Sequence, residues 1–505
     1  MKLRIGIISD TGILPKYDQE LIGWIQNNSD KFDLEYQICL SNSKKKNKFD
    51  FFKKFNFLLL RIIKRLETIF LRKSNLILDY ETIKFDASRL KKINFETKNL
   101  NNFNRISLDN DDINKIKNLN LDIIIRTCGF ILDGDVLNVS KFGILSFHHG
   151  DNNNYRGGPA GFWEIFDKVK ESGFIIQKLD KNLDGGYKLF EGNFKSGITY
   201  AHNENILFKN SIFYFQKLLI LIFKNRKLPI NIPNKIYKKK IFKNPNIFEI
   251  FIYIIRIYPT LFKRLFLKIL GNKKIWSVIY NDQNILKTSN YNKFTKISNY
   301  KNTFLADPFL FKKNNNKFLF GEEYNFKKSK GSIVVYEING STYNRIGICL
   351  DENFHLSFPY IFKFENNIYM LPETAQINEI RLYKCIDFPM KWKFFKTLKK
   401  DIFAVDNMIF YKNNYWWLFT NIANSHRDRF SNLDIFYCEN PLTDKWKQHD
   451  KNPIFVNIYK SRNAGIIINK NDIFRINQSP SFYEYGYEIN LNKIVKLTPE
   501  NYEEV

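Results

Sequence analysis

Four stretches in the second half of the chain repeat one design, and this repetition restricts the fold more than any other feature. They are LADPFLFKKNNNKFLFGEE from Leu305, LSFPYIFKFENNIYMLPET from Leu356, AVDNMIFYKNNYWWLFTN from Ala404 and SRNAGIIINKNDIFRINQ from Ser461. Each sets two β-rich runs on either side of a turn of Asn, Lys or Glu, the pattern of a hairpin. Aligned at Pro308, Pro359 and Asn407, the copies recur after 51 and then 48 residues, a period that suits the blades of a propeller. A fifth, weaker copy, IWSVIYNDQNILK, begins at Ile275. Residues 275–505 are therefore expected to form an all-β propeller of five blades.

Residues 1–225 follow another pattern. Leu3 to Ser9 reads as a strand, Asp10 to Pro15 as a loop and Gln19 to Ile25 as an amphipathic helix. The loop holds Gly12 but no G-x-G-x-x-G, which counts against a nicotinamide enzyme. Further on, DIIIRT (Asp122–Thr127) and FGILSF (Phe142–Phe147) read as successive buried parallel strands. A helix over Gly161–Lys170, a strand over Gly173–Leu179 and a helix over Leu207–Phe223 complete an α/β, Rossmann-like unit. His148 and His149 fall where the second buried strand ends, and in open α/β sheets ligands bind beyond the carboxyl ends of strands. Gly150, Asp151, the run Asn152–Asn154 and YRGGPAG follow, and Asp180 and Asp184 are expected at the same crevice. A solvated turn holding one structural histidine would look similar. Two of the chain's six histidines standing together at a strand end favour chemistry.

The order of these residues resembles the folate-dependent formyltransferases, a family that includes methionyl-tRNA, glycinamide ribonucleotide and sugar N-formyltransferases. In that family a strand ending in Asn-x-His leads to a loop closing in Tyr-Arg-Gly, and a later Leu-Asp-x-Gly supplies an aspartate. The matching stretches are Ser146-Phe147-His148, Tyr155-Arg156-Gly157 and Leu183-Asp184-Gly185-Gly186. The resemblance implies 10-formyltetrahydrofolate as formyl donor, His148 as the catalytic histidine and Asp184 as its carboxylate partner. It implies a substrate-binding loop of Asp151, Asn152, Tyr155, Arg156, Gly157 and Gly158. One position departs from the pattern: Ser146 stands where the family has the asparagine that helps hold the formyl oxygen. His149 or one of Asn152–Asn154 is the expected replacement, and His149 could also serve as a separate general acid or base near neutral pH.

The repeats have a resemblance of their own, carried by Ala306-Asp307-Pro308, Phe358-Pro359, Leu371-Pro372-Glu373-Thr374 and Ala404-Val405-Asp406. They resemble the five-bladed glycoside hydrolase-type propellers, and more closely the propeller at the N-terminus of plant glucosamine inositolphosphorylceramide transferase. In such propellers the innermost strands line a central funnel. That implies a cluster of Asp307 and Asp406 joined by His355, Glu373, Arg381 and Arg462. Paired carboxylates in a pocket perform glycoside hydrolysis. The same residues would also suit a sugar-binding funnel or caps for blade turns, and all three roles stay open.

Residues 226–274 link the two halves. Their core, IFEIFIYIIRIYPTLFKRLFLKIL (247–270), is too rich in charge for a spanning helix. It suits either a helix broken at Pro259 and packed between domains, or a helix lying on a membrane surface as a peripheral contact. A basic loop and amphipathic helix are expected over residues 41–75. The net charge of +28 is spread along the chain as lysine without any RNA-binding or helix-turn-helix signature, so no nucleic-acid partner is expected. Five scattered cysteines without C-x-x-C spacing indicate neither zinc nor disulfides and suit a reducing cytoplasm. MKLRIGIISD lacks the pattern of a signal peptide. The expectation is a cytoplasmic enzyme, at the inner membrane face if residues 247–270 dock there. It would formylate the amine of a nucleotide-linked amino sugar for surface glycans. A repurposed α/β domain performing glycosyl transfer or hydrolysis, and a non-catalytic glycan-binding protein, are the alternatives. The sequence leaves the oligomeric state open.

Overall fold

The structure, a computed structural model, describes residues 1–10, 14–41, 51–73, 76–77, 85–99, 105–181, 186–229, 240–281, 294–423 and 428–505. The chain divides into two compact units, Met1–Lys263 and Arg264–Val505.

The first unit is built on a seven-stranded sheet of β1 (Leu3–Ser9), β2 (Phe32–Ser41), β3 (Lys91–Glu96), β4 (Ile123–Arg126), β5 (Ile144–His148), β6 (Glu171–Lys178) and β7 (Tyr187–Lys195). Its order is β7-β6-β5-β4-β1-β2-β3. The five strands from β5 to β3 run parallel, whereas β6 is antiparallel to β5 and β7 to β6. Continuous isoleucine runs suit such a sheet because both faces are covered, and Ile5, Ile7, Ile8, Ile123, Ile124 and Ile125 are fully buried. On one face Ile8, Ile38, Ile124 and Ile144 pack with Ile113 and Ile116 of α3 (Asn110–Lys117). The other face carries α1 (Lys16–Asn27) and α5 (Tyr200–Asn225), with Phe215 of α5 lying 4.6 Å from the Phe147 ring. Among the described helices only α5 is long and apolar enough to span a membrane, and half of that stretch is buried inside the unit.

Two expectations change here. The helix after the histidine loop is only α4 (Phe162–Phe166), because Lys168 turns the chain with φ 56° and β6 starts at Glu171. And since β6 is antiparallel to β5, Ile175 pairs with His148 while Lys178 pairs with Leu145. Asp180 is thereby carried to the opposite end of β5 from His148.

Two further helices clothe this unit, α2 (Phe51–Lys73) and α6 (Ile247–Ile269), the latter continuous through Pro259. α2 turns Leu60, Ile63 and Leu71 inward, and α6 turns Ile250, Tyr253 and Ile257 inward. They meet at the buried Glu67 carboxylate, which accepts from the Tyr253 hydroxyl (2.6 Å), the Tyr258 hydroxyl (3.0 Å) and the Ala201 amide (2.9 Å) in the first turn of α5. A carboxylate is well placed there because a helix start carries unpaired N–H groups and a partial positive charge. Burial raises its pKa, and these bonds oppose the rise.

The second unit is propeller-like. Four antiparallel sheets span residues 303–350, 357–400, 404–456 and 463–504. Each has four strands, and the third carries an additional short one. Successive innermost strands pack side by side. Among the described residues the count of full blades is four, not five. Where the fifth was expected, Ile279–Tyr280 pairs with Thr295–Lys296 as a two-stranded sheet. Val278, Tyr280 and Ile297 pack on Leu305, Leu319 and Val334 of the first blade, and Trp276 lies edge-on to Tyr485 of the last. The first three innermost strands bulge at matching points, between Ala306 and Phe309, Ser357 and Tyr360, and Val405 and Met408. The residues at the bulges, Asp307, Phe358 and Asp406, adopt φ of 47°, 46° and 52°. Left-handed backbone at non-glycine residues is costly and gathers at functional sites.

Candidate functional sites

The first site lies at the carboxyl ends of β4 and β5. Because side chains alternate along a strand, Ser146 and half-buried His148 share one face, and Phe147 and His149 take the other. Arg126 ends β4 directly beside Ser146 in the parallel register. Its Nη1 donates to Ser146 Oγ (3.2 Å), while Nε and Nη2 hold the Phe130 carbonyl (3.0 and 2.6 Å). The Ser146 hydroxyl itself donates to the Phe147 carbonyl (3.1 Å). Its proton is therefore engaged, and the guanidinium supplies the N–H groups at this strand end. Gln177 faces Ser146 across the β5–β6 pair, 4% exposed, and its side-chain oxygen has no hydrogen-bond partner among the described residues. The loop beyond rests on the imidazole: a Cβ at Gly150 would lie 3.1 Å from His148 Nε2 and 2.4 Å from the Tyr155 carbonyl.

His149 has a different environment. Its Nε2 bonds Ser211 Oγ at 3.0 Å, and its ring stacks on Phe147 at 5.2 Å and meets Phe208 edge-on at 4.3 Å. Burial first, and neighbouring His148 second, push its pKa down to about 3. His149 is thus neutral through the physiological range, which removes it as an acid near neutral pH.

Asp151 organises the loop, accepting from the Asn153 amide (2.9 Å), Asn153 Nδ2 (2.9 Å) and Asn154 Nδ2 (2.7 Å). Asn152 is buried beneath it. The Tyr155 hydroxyl donates to Asp167 (3.1 Å), and its ring stacks on Phe242. Arg156–Gly157 pairs with Ile241–Phe242 so closely that a Cβ at Gly157, where φ is 95°, would lie 2.2 Å from the Phe242 carbonyl. Tyr155, Arg156, Gly157 and Gly158 line a small open cleft together with His149, Trp163 and Glu164. Glu164 is 2% exposed, and burial, followed by the charges of Asp151 and Asp167, pushes its pKa up to about 8. Asp184 lies outside the described residues.

The second site is the centre of the propeller-like unit, where Asp307, Glu322, Glu373, Asp406 and Arg462 come together. Asp406 is buried and takes a two-pronged bond from Arg462, with Nη2 at 3.2 Å from Oδ1. Asn463 Nδ2 holds the Asp406 carbonyl (3.0 Å), and Arg462 lies over Phe430 and Tyr485 at 5.6 and 5.1 Å. Burial, then mutual repulsion, raises the pKa of Asp307, Glu322 and Glu373, with Arg462 opposing the rise at Asp307 and Glu373. His355 joins from the side. Its Nδ1 accepts the Gly331 amide (3.0 Å), so the proton of the neutral ring sits on Nε2, 3.5 Å from Glu322. Arg381 stands apart from this group. It lies on the third strand of its blade, where it pairs with Glu379 (2.6 Å) and covers Phe354 and Phe394.

Arg126, Gln177, Glu164 and Glu322 were not among the expected site residues. Each left a trace in the sequence, a polar residue set in or ending an apolar run: DIIIRT, GFIIQKL, FWEIF and FLFGEE.

The two sites define an α/β unit with a histidine at a strand end, and a propeller-like unit with carboxylates at its centre. Known proteins match on both. Residues 286–505 match the family described as glucosamine inositolphosphorylceramide transferase 1, N-terminal. The protein of that name from Oryza sativa subsp. japonica is 37% identical over 212 residues, which is 41% of this chain and 28% of the rice protein. The chain thus spans little more than a quarter of that relative's length. Methionyl-tRNA formyltransferase of Rickettsia massiliae (strain Mtu5) is 34% identical over 89 residues, 17% of this chain and 30% of that protein. A solved sugar N-formyltransferase from Shewanella sp FDAARGOS_354 covers 50% of this chain and 87% of its own at 15% identity and a TM-score of 0.29, a likeness that carries no argument about function. Both sequence relatives are transferases by name, and both resemblances expected from the motifs are found.

Proposed function

We propose that the first unit transfers a formyl group from 10-formyltetrahydrofolate to the amine of an amino sugar, and that the second unit binds a sugar through its carboxylate and arginine centre. The observation that carries this reading is the donor set at the strand end, with the Arg126 guanidinium bonded to Ser146 on the face that also bears His148. Bound 10-formyltetrahydrofolate would supply the formyl carbon. Arg126 directs N–H groups at the formyl oxygen where negative charge develops, the task the family gives to asparagine. His148 donates to the same oxygen and passes the proton lost by the amine to the departing nitrogen. Gln177 Oε1 accepts an N–H of the amine and aims its lone pair. Asp184 holds the charged form of His148, a role that rests on the resemblance.

The test is tetrahydrofolate release across a panel of amino-sugar nucleotides. Wild type is expected to release it with at least one, and His148→Ala to abolish release without altering the circular dichroism. Arg126→Gln should lower kcat by roughly 10²–10³, the usual cost of one oxyanion donor. No release with any sugar, together with no folate binding by calorimetry, would refute the reading. A second reading, glycosyl transfer at the propeller centre, is favoured by protonated carboxyls standing beside the ion pair of Asp406 and Arg462. Under it, Asp406→Asn rather than His148→Ala removes activity.

A further inference from the structure

Two helices of the first unit are apolar on both sides. Opposite the inward residues of α2, Leu58, Ile62, Leu66, Ile69 and Phe70 stand in the open, Leu66 at 61% exposure. Opposite those of α6, Phe248, Phe251, Ile252, Ile255 and Phe262 do the same, Phe248 at 75%. A surface helix ordinarily has one apolar stripe, and soluble monomers rarely expose contiguous apolar patches this large. The charges around these faces are mainly basic, the exception being Glu249 in the first turn of α6. Arg61, Arg65 and Arg72 follow one another at i, i+4 and i+11 along one flank of α2, whose single acid, Glu67, is buried. On α6, Arg256 and Lys263 stand one above the other, seven residues apart, beside the open face. Glu67 fastens both helices to the same unit.

We propose that α2 and α6 together dock the first unit on a bilayer that carries anionic lipids. The phenylalanines and leucines enter the acyl boundary, and the arginine row meets the headgroup phosphates. A second copy of the chain fits less well, since symmetric pairing of these faces would bring like charges together. Spanning the bilayer would bury arginines at its centre.

The experiment uses the full-length chain and sedimentation with vesicles of phosphatidylcholine alone or mixed with phosphatidylglycerol. Wild type should pellet with the mixed vesicles, less so as salt rises, and only weakly with phosphatidylcholine alone. Each of Arg61→Gln, Arg65→Gln and Arg72→Gln should weaken binding about fivefold. Leu66→Gln with Phe251→Gln should abolish pelleting while leaving the melting temperature unchanged, because both side chains are exposed. Equal binding by these variants, or no binding by wild type, overturns the proposal. So does a solution dimer that Leu66→Gln and Phe251→Gln dissociate, which would give the face to a second copy.

Discussion

Glu164 is a buried carboxyl whose nearest charges, Asp151 and Asp167, share its sign. Its pKa rises from the ordinary 4.5 to about 8, so the folded chain keeps a proton that the unfolded chain loses. The stability this contributes is complete below about pH 4.5 and is lost as pH rises through 8. Glu164→Gln keeps the shape and cannot titrate. Melting curves of the two proteins should coincide near pH 5 and separate toward pH 9, with the variant more stable by on the order of a few kcal/mol. Curves that stay parallel would mean that Glu164 is already ionised. His149 acts in the opposite sense, costing stability as pH falls from 6.5 toward 3, but it is common to both proteins and cancels. The residue scale also shows where sequence reasoning stops. Ser146 is visible as a departure, but its partner Arg126 lies 20 residues earlier and arrives only through the register of two parallel strands. The neighbours in the chain, His149 and the asparagines, give no hint of that guanidinium.

At the scale of elements, Glu67 joins α2, α5 and α6 by three bonds to one carboxylate. Glu67→Ala leaves those donors without an acceptor, at roughly 1–3 kcal/mol for each that stays buried and unpaired. The variant should melt lower and be cut faster by trypsin at Arg256 and Lys263, whereas Glu67→Gln keeps an acceptor and should behave more nearly like wild type. Equal cleavage of all three would show that α6 is held by its apolar contacts alone. Both helices were legible as apolar, basic segments. Their two-sidedness was not, since a stripe facing the core and a stripe facing outward are written in the same residues. Strand direction was hidden for a like reason: GFIIQKL marks a buried strand but carries no sign of whether it runs with or against β5, and Asp180 was misplaced as a result.

At the scale of the whole molecule, the apolar clusters of the propeller-like unit draw, among the described residues, on those from Val278 onward. Residues 264–505 expressed alone should therefore be soluble, show β-rich circular dichroism and melt cooperatively. Aggregation, or a spectrum without β signal, would show that the first unit supplies part of that core. The period of the repeats was legible because every full blade spells out its hairpin. The number of blades was not: IWSVIYNDQNILK has the alternation of a blade strand, yet among the described residues two on each side enter a ladder. The joints of the ring are consequently unequal. Three bring full sheet against full sheet, while the remaining one is bridged by the half-blade, through Trp276 against Tyr485. That same Tyr485 covers Arg462, the cation that holds Asp406. One phenol ring thus stands both at that joint, beside the ion pairs of Glu484 with Arg264 and Lys274, and over the central cation, so the joint and the charge balance in the middle share a side chain.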